Sequence, residues 1–113
     1  MTKTTYNKLI RDRIPEIIET SGKSHEIMEL DHDAFLIELK EKLIEESKEV
    51  VSSETKEEMI NELADVCEIV EKLMDVYGIS QKELVEKKEI KRQTNGGFDK
   101  QLFLISVTEK SDN

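Results

Sequence analysis

Apolar residues recur along this chain at the three- and four-residue spacing of amphipathic helices, and start and stop signals divide the pattern into segments. Pro15 fits the opening turn of a first helix, and Gly22 fits the residue just after its end. Asp31 or Asp33 can cap a second helix, which runs to about Val51. Between these two helices, residues 24–30 carry only a loose alternation, which predicts an extended connection.

The third and fourth predicted helices both begin with a capping box, in which Thr or Ser precedes Glu by three residues. Thr55 and Glu58 form the first box, and Ser80 and Glu83 form the second. Gly78 marks the end of the third helix, because glycine is the usual residue after a helix C-terminus.

The last part of the chain predicts the end of the fourth helix and a short apolar segment. The helix runs to about Gln93 and is stopped by residues 95–97 (NGG). Residues 102–107 (LFLISV) are apolar and β-prone, which predicts a strand or a packed arm. The fold class expected is therefore all-α: an antiparallel bundle of about four helices with a short C-terminal strand or arm, in a single domain over residues 1–113.

Charge and composition exclude several classes of protein. The chain has 113 residues, with 17 Lys+Arg, 26 Asp+Glu and a formal net charge of −9. This balance argues against binding a nucleic-acid polymer, which needs a basic surface. No stretch approaches the roughly 18 apolar residues of a membrane span. The first ten residues lack a secretory apolar region, and the single cysteine, Cys67, cannot form an internal disulfide. We therefore expect a cytoplasmic protein without a membrane partner, with Cys67 packed.

The small number of aromatic residues bears on the size of the core. The chain has no Trp, three Phe and two Tyr, so its core must be mainly aliphatic. Domains of this length already bury a modest fraction of their surface. We therefore expect part of the core to come from a second copy of the chain, in a homodimer or higher homo-oligomer.

Acidic residues fall on the apolar face of the second predicted helix. At about 100° per residue, Glu46 lies inside the apolar arc, Glu49 lies at its rim and Glu45 lies further out. The arc itself is a normal core-facing stripe, formed by Phe35, Leu36, Leu39, Leu43 and Val50.

The third predicted helix repeats this arrangement. Glu62 falls inside the apolar face, and Asp65 lies at its edge beside Val76. Ile69 widens the stripe on the same side. The stripe consists of Met59, Leu63, Val66, Val70, Leu73, Met74 and Tyr77.

These two acid pairs predict a metal site. A short connection before Thr55 makes the two helices antiparallel neighbours, so Glu46 and Glu49 can face Glu62 and Asp65. Ionised carboxylates are costly to bury, and a divalent cation relieves both the burial and the mutual repulsion. Oxygen ligands without His or Cys favour Mg²⁺, with Mn²⁺ as a second choice. The alternative is an ordinary solvated acidic face, as in a non-catalytic helical module that binds a partner protein.

Two clusters of basic residues suggest a phosphate ligand. Lys8, Arg11 and Arg13 lie near the N-terminus. The second cluster, at the end of the fourth predicted helix and just beyond it, consists of Lys87, Lys88, Lys91, Arg92 and Lys100. Mg²⁺ held by acids normally also takes phosphate oxygens. The combination predicts a polyphosphate substrate, although surface charge and complementation of a helix C-terminus explain such clusters equally well.

Three elements of the chain together resemble a known family. Residues 45–49 (EESKE) and 62–65 (ELAD) resemble the E-E-x-x-E … E-x-x-D signature of the MazG-like all-α nucleoside triphosphate pyrophosphohydrolases. Residues 6–18 (YNKLIRDRIPEII) are similar to the KLVRDKIPEII start of its phosphoribosyl-ATP pyrophosphohydrolase-like branch. Residues 91–98 are similar to the K-R … G-G-F element of that branch.

The resemblance implies an oligomeric helical bundle that hydrolyses a nucleoside triphosphate to the monophosphate and pyrophosphate with Mg²⁺, as a house-cleaning enzyme of the nucleotide pool. Carried over by position, the metal ligands would be Glu46, Glu49, Glu62 and Asp65. Glu45 or Glu49 would orient or deprotonate the attacking water. From charge alone, the residues that would face the phosphates are Lys8, Arg11, Arg13, Lys91 and Arg92.

Overall fold

The computed structural model of the protein describes residues 2–111. Over these residues it is all-helical, which confirms the predicted class and the four helices. They are α1 (Ile14–Thr20), α2 (His32–Ser52), α3 (Lys56–Tyr77) and α4 (Gln81–Asn95). The chain divides into two compact units, Met1–Gly78 and Ile79–Asn113. The single domain and the oligomer both remain predictions.

Both ends of α1 follow the local sequence signals. Pro15 lies in the first turn of α1. At its end the Gly22 N–H donates to the Glu19 carbonyl at 3.0 Å and the Lys23 N–H to the Ile18 carbonyl at 3.2 Å, the Schellman pattern. The positive φ of Gly22, 83°, permits this turn.

Side-chain caps begin the three longer helices. Asp31, rather than Asp33, caps α2 by accepting from the Ala34 N–H at 2.8 Å. Thr55 accepts from the Glu58 N–H at 3.1 Å at the start of α3. The Ser80 hydroxyl accepts from the Glu83 N–H at 3.1 Å at the start of α4. The return bond of the α3 box is displaced by one residue, because the Glu58 carboxylate accepts from the Glu54 N–H at 2.9 Å.

The predicted strand at residues 102–107 is wrong, and the alternative, a packed arm, does not form within the described chain. Within the described residues this tail is neither helix nor strand. Leu102, Phe103, Leu104, Ile105 and Val107 are each 78–89% exposed. A β-prone segment needs a partner strand for its hydrogen bonds, and the described part of the unit Ile79–Asn113 offers only the helix α4.

α2 and α3 form an antiparallel hairpin that contains the core of the unit Met1–Gly78. Only residues 53–55 connect them, and the two helices pack against each other. Leu39, Ile69 and Met74 are the buried apolar residues of the described chain. On α2 the predicted stripe is buried or half-buried as expected.

The buried face of α3 is turned relative to the prediction. Leu63 and Tyr77, both assigned to the stripe, are 46% and 54% exposed. Ile69, assigned to its flank, is 7% exposed and belongs to the buried face together with Met74 at 8%. Glu62 and Asp65 are consequently closer to the centre of the α2–α3 interface than the sequence indicated.

The hairpin has two chemically different sides. The angular position of each residue around its helix follows from a step of about 100° per residue, measured from Leu39 on α2 and from Ile69 on α3. By this measure, a set of exposed apolar residues projects from one side. The Lys40 ammonium group, 5.7 Å from the Tyr77 ring centroid, links the two helices there. Cys67, expected to be packed, is exposed on this side. This surface, the apolar side, includes Ile37, Ile44, Val51, Ile60 and Leu63.

The opposite side of the hairpin, the charged side, carries Lys42, Glu45 and Asp65. None of the helices in residues 2–111 is both long enough and apolar enough to cross a membrane.

Candidate metal centre

Three carboxylates from the two helices of the hairpin converge near the middle of its interface. Glu46 comes from α2, and Glu62 and Asp65 come from α3. One oxygen from each lies within 4.8 Å of the other two. Glu46 stands seven residues before the connection at 53–55 and Glu62 seven residues after it, so antiparallel packing brings them to the same level.

Burial and repulsion by neighbouring acids make Glu46 an unfavourable place for negative charge. Its side chain is 12% exposed. Desolvation by burial is the largest cause that raises the pKa of Glu46, and the nearby charges of Asp65, Glu45 and Glu62 raise it further. Lys42, with its Nζ 3.6 Å from a carboxylate oxygen of Glu46, opposes them only in part.

The neighbouring Glu45 behaves in the opposite way. Burial alone raises its pKa, but hydrogen bonds and charge from Lys8 and Lys42 outweigh burial and lower the pKa overall. The Lys8 Nζ donates to Glu45 Oε1 at 3.1 Å, and the Lys42 Nζ donates to Oε2 at 3.4 Å. Glu45 therefore loses its proton at a lower pH than Glu46 does.

A second cation from the N-terminal segment reaches the group directly. The Arg11 Nη2 donates to Asp65 Oδ1 at 2.7 Å, across 54 positions of sequence. The side chains of Arg11 and Asp65 are 57% and 31% exposed, so water reaches this pair. Lys8 and Arg11 thus bring positive charge from the N-terminal segment to both helices of the hairpin.

Lys42 is a member of this ion-pair network to which the sequence analysis assigned no role. It lies three residues before Glu45 and four before Glu46, the spacings at which side chains meet on a helix. These spacings are the sequence signal from which the pairing of Lys42 with Glu45 and Glu46 could have been predicted.

The fourth predicted metal ligand, Glu49, does not join the three carboxylates. It lies one helical turn after Glu46 and is exposed. Its main-chain carbonyl accepts from the Ser52 and Ser53 hydroxyls near the end of α2, at 3.2 and 2.9 Å. Its role as a ligand remains a prediction.

The remaining predicted phosphate-binding residues are Arg13, Lys91 and Arg92. Arg13 is 81% exposed and pairs with Glu16, three residues ahead at the start of α1. Lys91 and Arg92 are exposed residues of α4 in the unit Ile79–Asn113. Lys8 and Arg11 are therefore the members of the predicted set that contact acids of the α2–α3 hairpin.

A shallow depression lies beside Glu45, between the N-terminal segment and α2. Its volume is about 500 Å³, within the roughly 300–1,000 Å³ typical of small-molecule pockets. Lys8, Lys42 and Glu45 belong both to this depression and to the ion-pair network around the carboxylates. It is lined by Asn7, Lys8, Leu9, Glu38, Glu41, Lys42, Ile44, Glu45 and Lys48.

The donor set of Glu46, Glu62 and Asp65 fits a small hard cation. Oxygen ligands of one Mg²⁺ ion, at about 2.1 Å, lie at most about 4.2 Å apart. Spacings within 4.8 Å therefore need only small side-chain rotations to close around an ion. All donors are carboxylate oxygens, which suit Mg²⁺ or Mn²⁺ rather than a softer metal.

Comparison with known proteins gives no match. No protein family, curated protein or solved structure is significantly similar to the chain. The likeness to MazG-like pyrophosphohydrolases thus rests on the three sequence elements described above.

Proposed function

We propose that the protein is a Mg²⁺-dependent nucleoside triphosphate pyrophosphohydrolase that clears unwanted nucleotides in the cytoplasm, with the monophosphate and pyrophosphate as products. The observation that carries this proposal is the convergence of Glu46, Glu62 and Asp65 at the α2–α3 interface. Acids in such a place repel one another and are partly desolvated, which is the environment of a cation site.

Within this proposal the acids divide into metal ligands and residues that handle water. Glu46, Glu62 and Asp65 would hold the ion, and Glu49 would join them from the rim. The bound Mg²⁺ would lower the pKa of a water molecule and neutralise phosphate charge. Glu45, whose pKa is lowered by Lys8 and Lys42, is suited to orient that water as a hydrogen-bond acceptor.

The phosphates of the substrate would be bound by cations beside the acids. Lys8, Arg11 and Lys42 already lie on the charged side of the hairpin, where the depression beside Glu45 provides room for a ligand. Lys91 and Arg92 are further candidates by charge alone, whereas Arg13 pairs with Glu16.

Product analysis tests this function. The full chain is incubated with Mg²⁺ and a panel of canonical and modified nucleoside triphosphates, and monophosphate and pyrophosphate are quantified. We expect Glu62→Gln to reduce turnover by about 100-fold or more, because it removes a direct ligand. Glu71→Gln, on the exposed face of the same helix, is the matched control and should keep full activity. A folded wild-type protein that yields neither product from any nucleotide contradicts the proposal.

The second candidate function is a non-catalytic helical module that binds a partner protein. The exposed apolar side of the hairpin favours it, since contiguous apolar surface marks interaction sites. A thermal melt separates the two functions, because an ion that binds only the folded state raises the melting temperature. Stabilisation by Mg²⁺ that is lost in Glu62→Gln supports the enzyme, whereas a melting temperature independent of Mg²⁺ supports the interaction module.

A further inference from the structure

Arg11 places a permanent positive charge beside Asp65, one of the three carboxylates of the candidate metal centre. Its Nη2 lies 2.7 Å from Asp65 Oδ1. A guanidinium group stays protonated at any pH of interest, so its charge cannot be removed by titration. A divalent cation that binds Asp65 must therefore displace Arg11 or tolerate its repulsion at close range.

The placement of Arg11 allows it to leave. Its side chain is 57% exposed, and it belongs to the non-helical segment that precedes α1. Release therefore disturbs neither a helix nor the buried residues around Ile69. Lys42 is different, because it extends from α2 itself and its side chain is only 18% exposed.

A phosphate group is the natural alternative partner for the released side chain. Arginine binds phosphate through paired, charge-assisted hydrogen bonds. A polyphosphate that shares the metal ion would stand close to Asp65 and offer Arg11 such a partner. An uncomplexed metal ion offers none.

We propose that Arg11 is a displaceable counter-ion of the metal centre. Its guanidinium group pairs with Asp65 while no metal is bound. It then pairs with the substrate phosphates when metal and polyphosphate bind together. This inference rests on the proposed function, since it assumes that Asp65 is a metal ligand. By linkage, metal and polyphosphate then each increase the affinity for the other by the same factor. The protein consequently binds the metal–polyphosphate complex in preference to the free ion.

Arg13 provides a matched control from the same segment. It carries the same charge two residues further along, but it pairs with Glu16 and is 81% exposed. A general effect of removing one positive charge would appear in Arg13→Gln as well as in Arg11→Gln. Arg11→Lys retains the charge and tests whether any cation at this position suffices.

The first measurement is Mn²⁺ binding to the full chain by calorimetry, without phosphate. We expect Arg11→Gln to bind Mn²⁺ about two- to fivefold more tightly than wild type, the range of an exposed ion pair. Arg13→Gln and Arg11→Lys should match wild type. Metal-free Arg11→Gln should melt below wild type, because Asp65 loses its counter-ion, and Mn²⁺ should raise its melting temperature by more.

The second measurement adds inorganic tripolyphosphate as the probe, at saturating Mn²⁺. Wild type should bind it at least about tenfold more tightly than Arg11→Gln, because the variant lacks the charge-assisted bonds to phosphate. Equal tripolyphosphate affinity in the two proteins would overturn the transfer to phosphate.

The remaining outcomes separate this inference from the proposed function. If Arg11→Gln binds Mn²⁺ no more tightly than wild type while Glu62→Gln loses binding, the metal centre stands and the counter-ion role is wrong. If wild type and all variants fail to bind Mn²⁺, both the metal centre and the role of Arg11 are overturned.

Discussion

At the scale of single residues, the central feature is a carboxylate in a place that suits an apolar side chain. Glu46 occupies the same face of α2 as the buried Leu39, and its side chain is 12% exposed. An ionised carboxylate in such surroundings costs free energy unless it is paired. Lys42 supplies one cation 3.6 Å away, against two further acids in the group. We therefore expect the metal-free hairpin to be less stable than the same hairpin with a neutral residue at this position.

The sign of the pKa shift at Glu46 turns this into a prediction. Because its pKa in the folded chain is raised above the ordinary value of 4.5, the folded state holds the proton more tightly than the unfolded state. The resulting stability is full below about pH 4.5 and is lost as the pH rises through the raised pKa. Glu46→Gln imitates the protonated form and should stabilise the metal-free protein at pH 7.5 by about 1 kcal/mol, or a few degrees of melting temperature.

Melts followed by circular dichroism in EDTA at pH 4 and pH 7.5 check this expectation. The advantage of Glu46→Gln should shrink toward zero at pH 4, and saturating Mg²⁺ should reverse the order at pH 7.5 by stabilising only wild type. Glu71→Gln should track wild type throughout. A Glu46→Gln protein that is less stable than wild type at pH 7.5 in EDTA would show that Glu46 makes a stabilising contact as an anion.

At the scale of helices, the local signals were sufficient to predict the elements and their ends. Capping boxes and terminal glycines are short-range features, so residues such as Thr55 and Gly78 could be interpreted without knowledge of the tertiary fold. The tail at residues 102–107 could not, since β structure depends on a partner strand elsewhere. The extension of the buried face of α3 to Ile69 depends on how α2 packs against α3, which the pattern of a single helix does not contain.

The candidate metal centre likewise has features that short-range sequence signals predict and features that depend on the tertiary fold. The helical spacing of Glu46, Glu62 and Asp65 predicted their convergence, because antiparallel packing follows from a short connection. The contacts of Arg11 with Asp65 and of Lys8 with Glu45 span 54 and 37 positions, and no local rule specifies them.

The cap of α3 gives a prediction at this scale. Thr55→Ala removes the hydroxyl that accepts from the Glu58 N–H and should destabilise the protein by about 1 kcal/mol. A melt should show this as a decrease of roughly 4 °C. Thr55→Ser, which keeps the acceptor, should restore most of the loss. Ser52→Ala, which removes only a bond back to the Glu49 carbonyl, is the control and should change the free energy of unfolding by less than about 0.5 kcal/mol. Equal losses in Thr55→Ala and Ser52→Ala would contradict a specific role of the cap.

At the scale of the whole molecule, the hairpin separates two tasks onto two sides. The charged side carries the acids and their basic partners, while the apolar side exposes Ile37, Ile44 and Val51 at 62%, 50% and 86%. These three residues follow one another at intervals of seven, a spacing that aligns them along one edge of α2. With only three buried apolar residues in the described chain, the hairpin has a small core for its length. We propose that a second copy of the chain covers the apolar side and leaves the charged side open to substrate.

This proposal predicts the oligomeric state of one substitution and its control. Leu63→Lys places a charge on the apolar side, at a residue that is 46% exposed, and should convert a homodimer into a monomer because the ammonium group would be desolvated in the interface. Ile27→Lys alters a comparably exposed residue, 55%, in the connection before α2 and should leave the dimer intact. Sedimentation equilibrium of the full chain measures both. A monomeric wild type would show that the copies do not associate. A dimer that survives Leu63→Lys would show that the copies associate through another surface. If the dimer forms as proposed, Mn²⁺ binding should be retained in monomeric Leu63→Lys, since the three carboxylates all come from one hairpin.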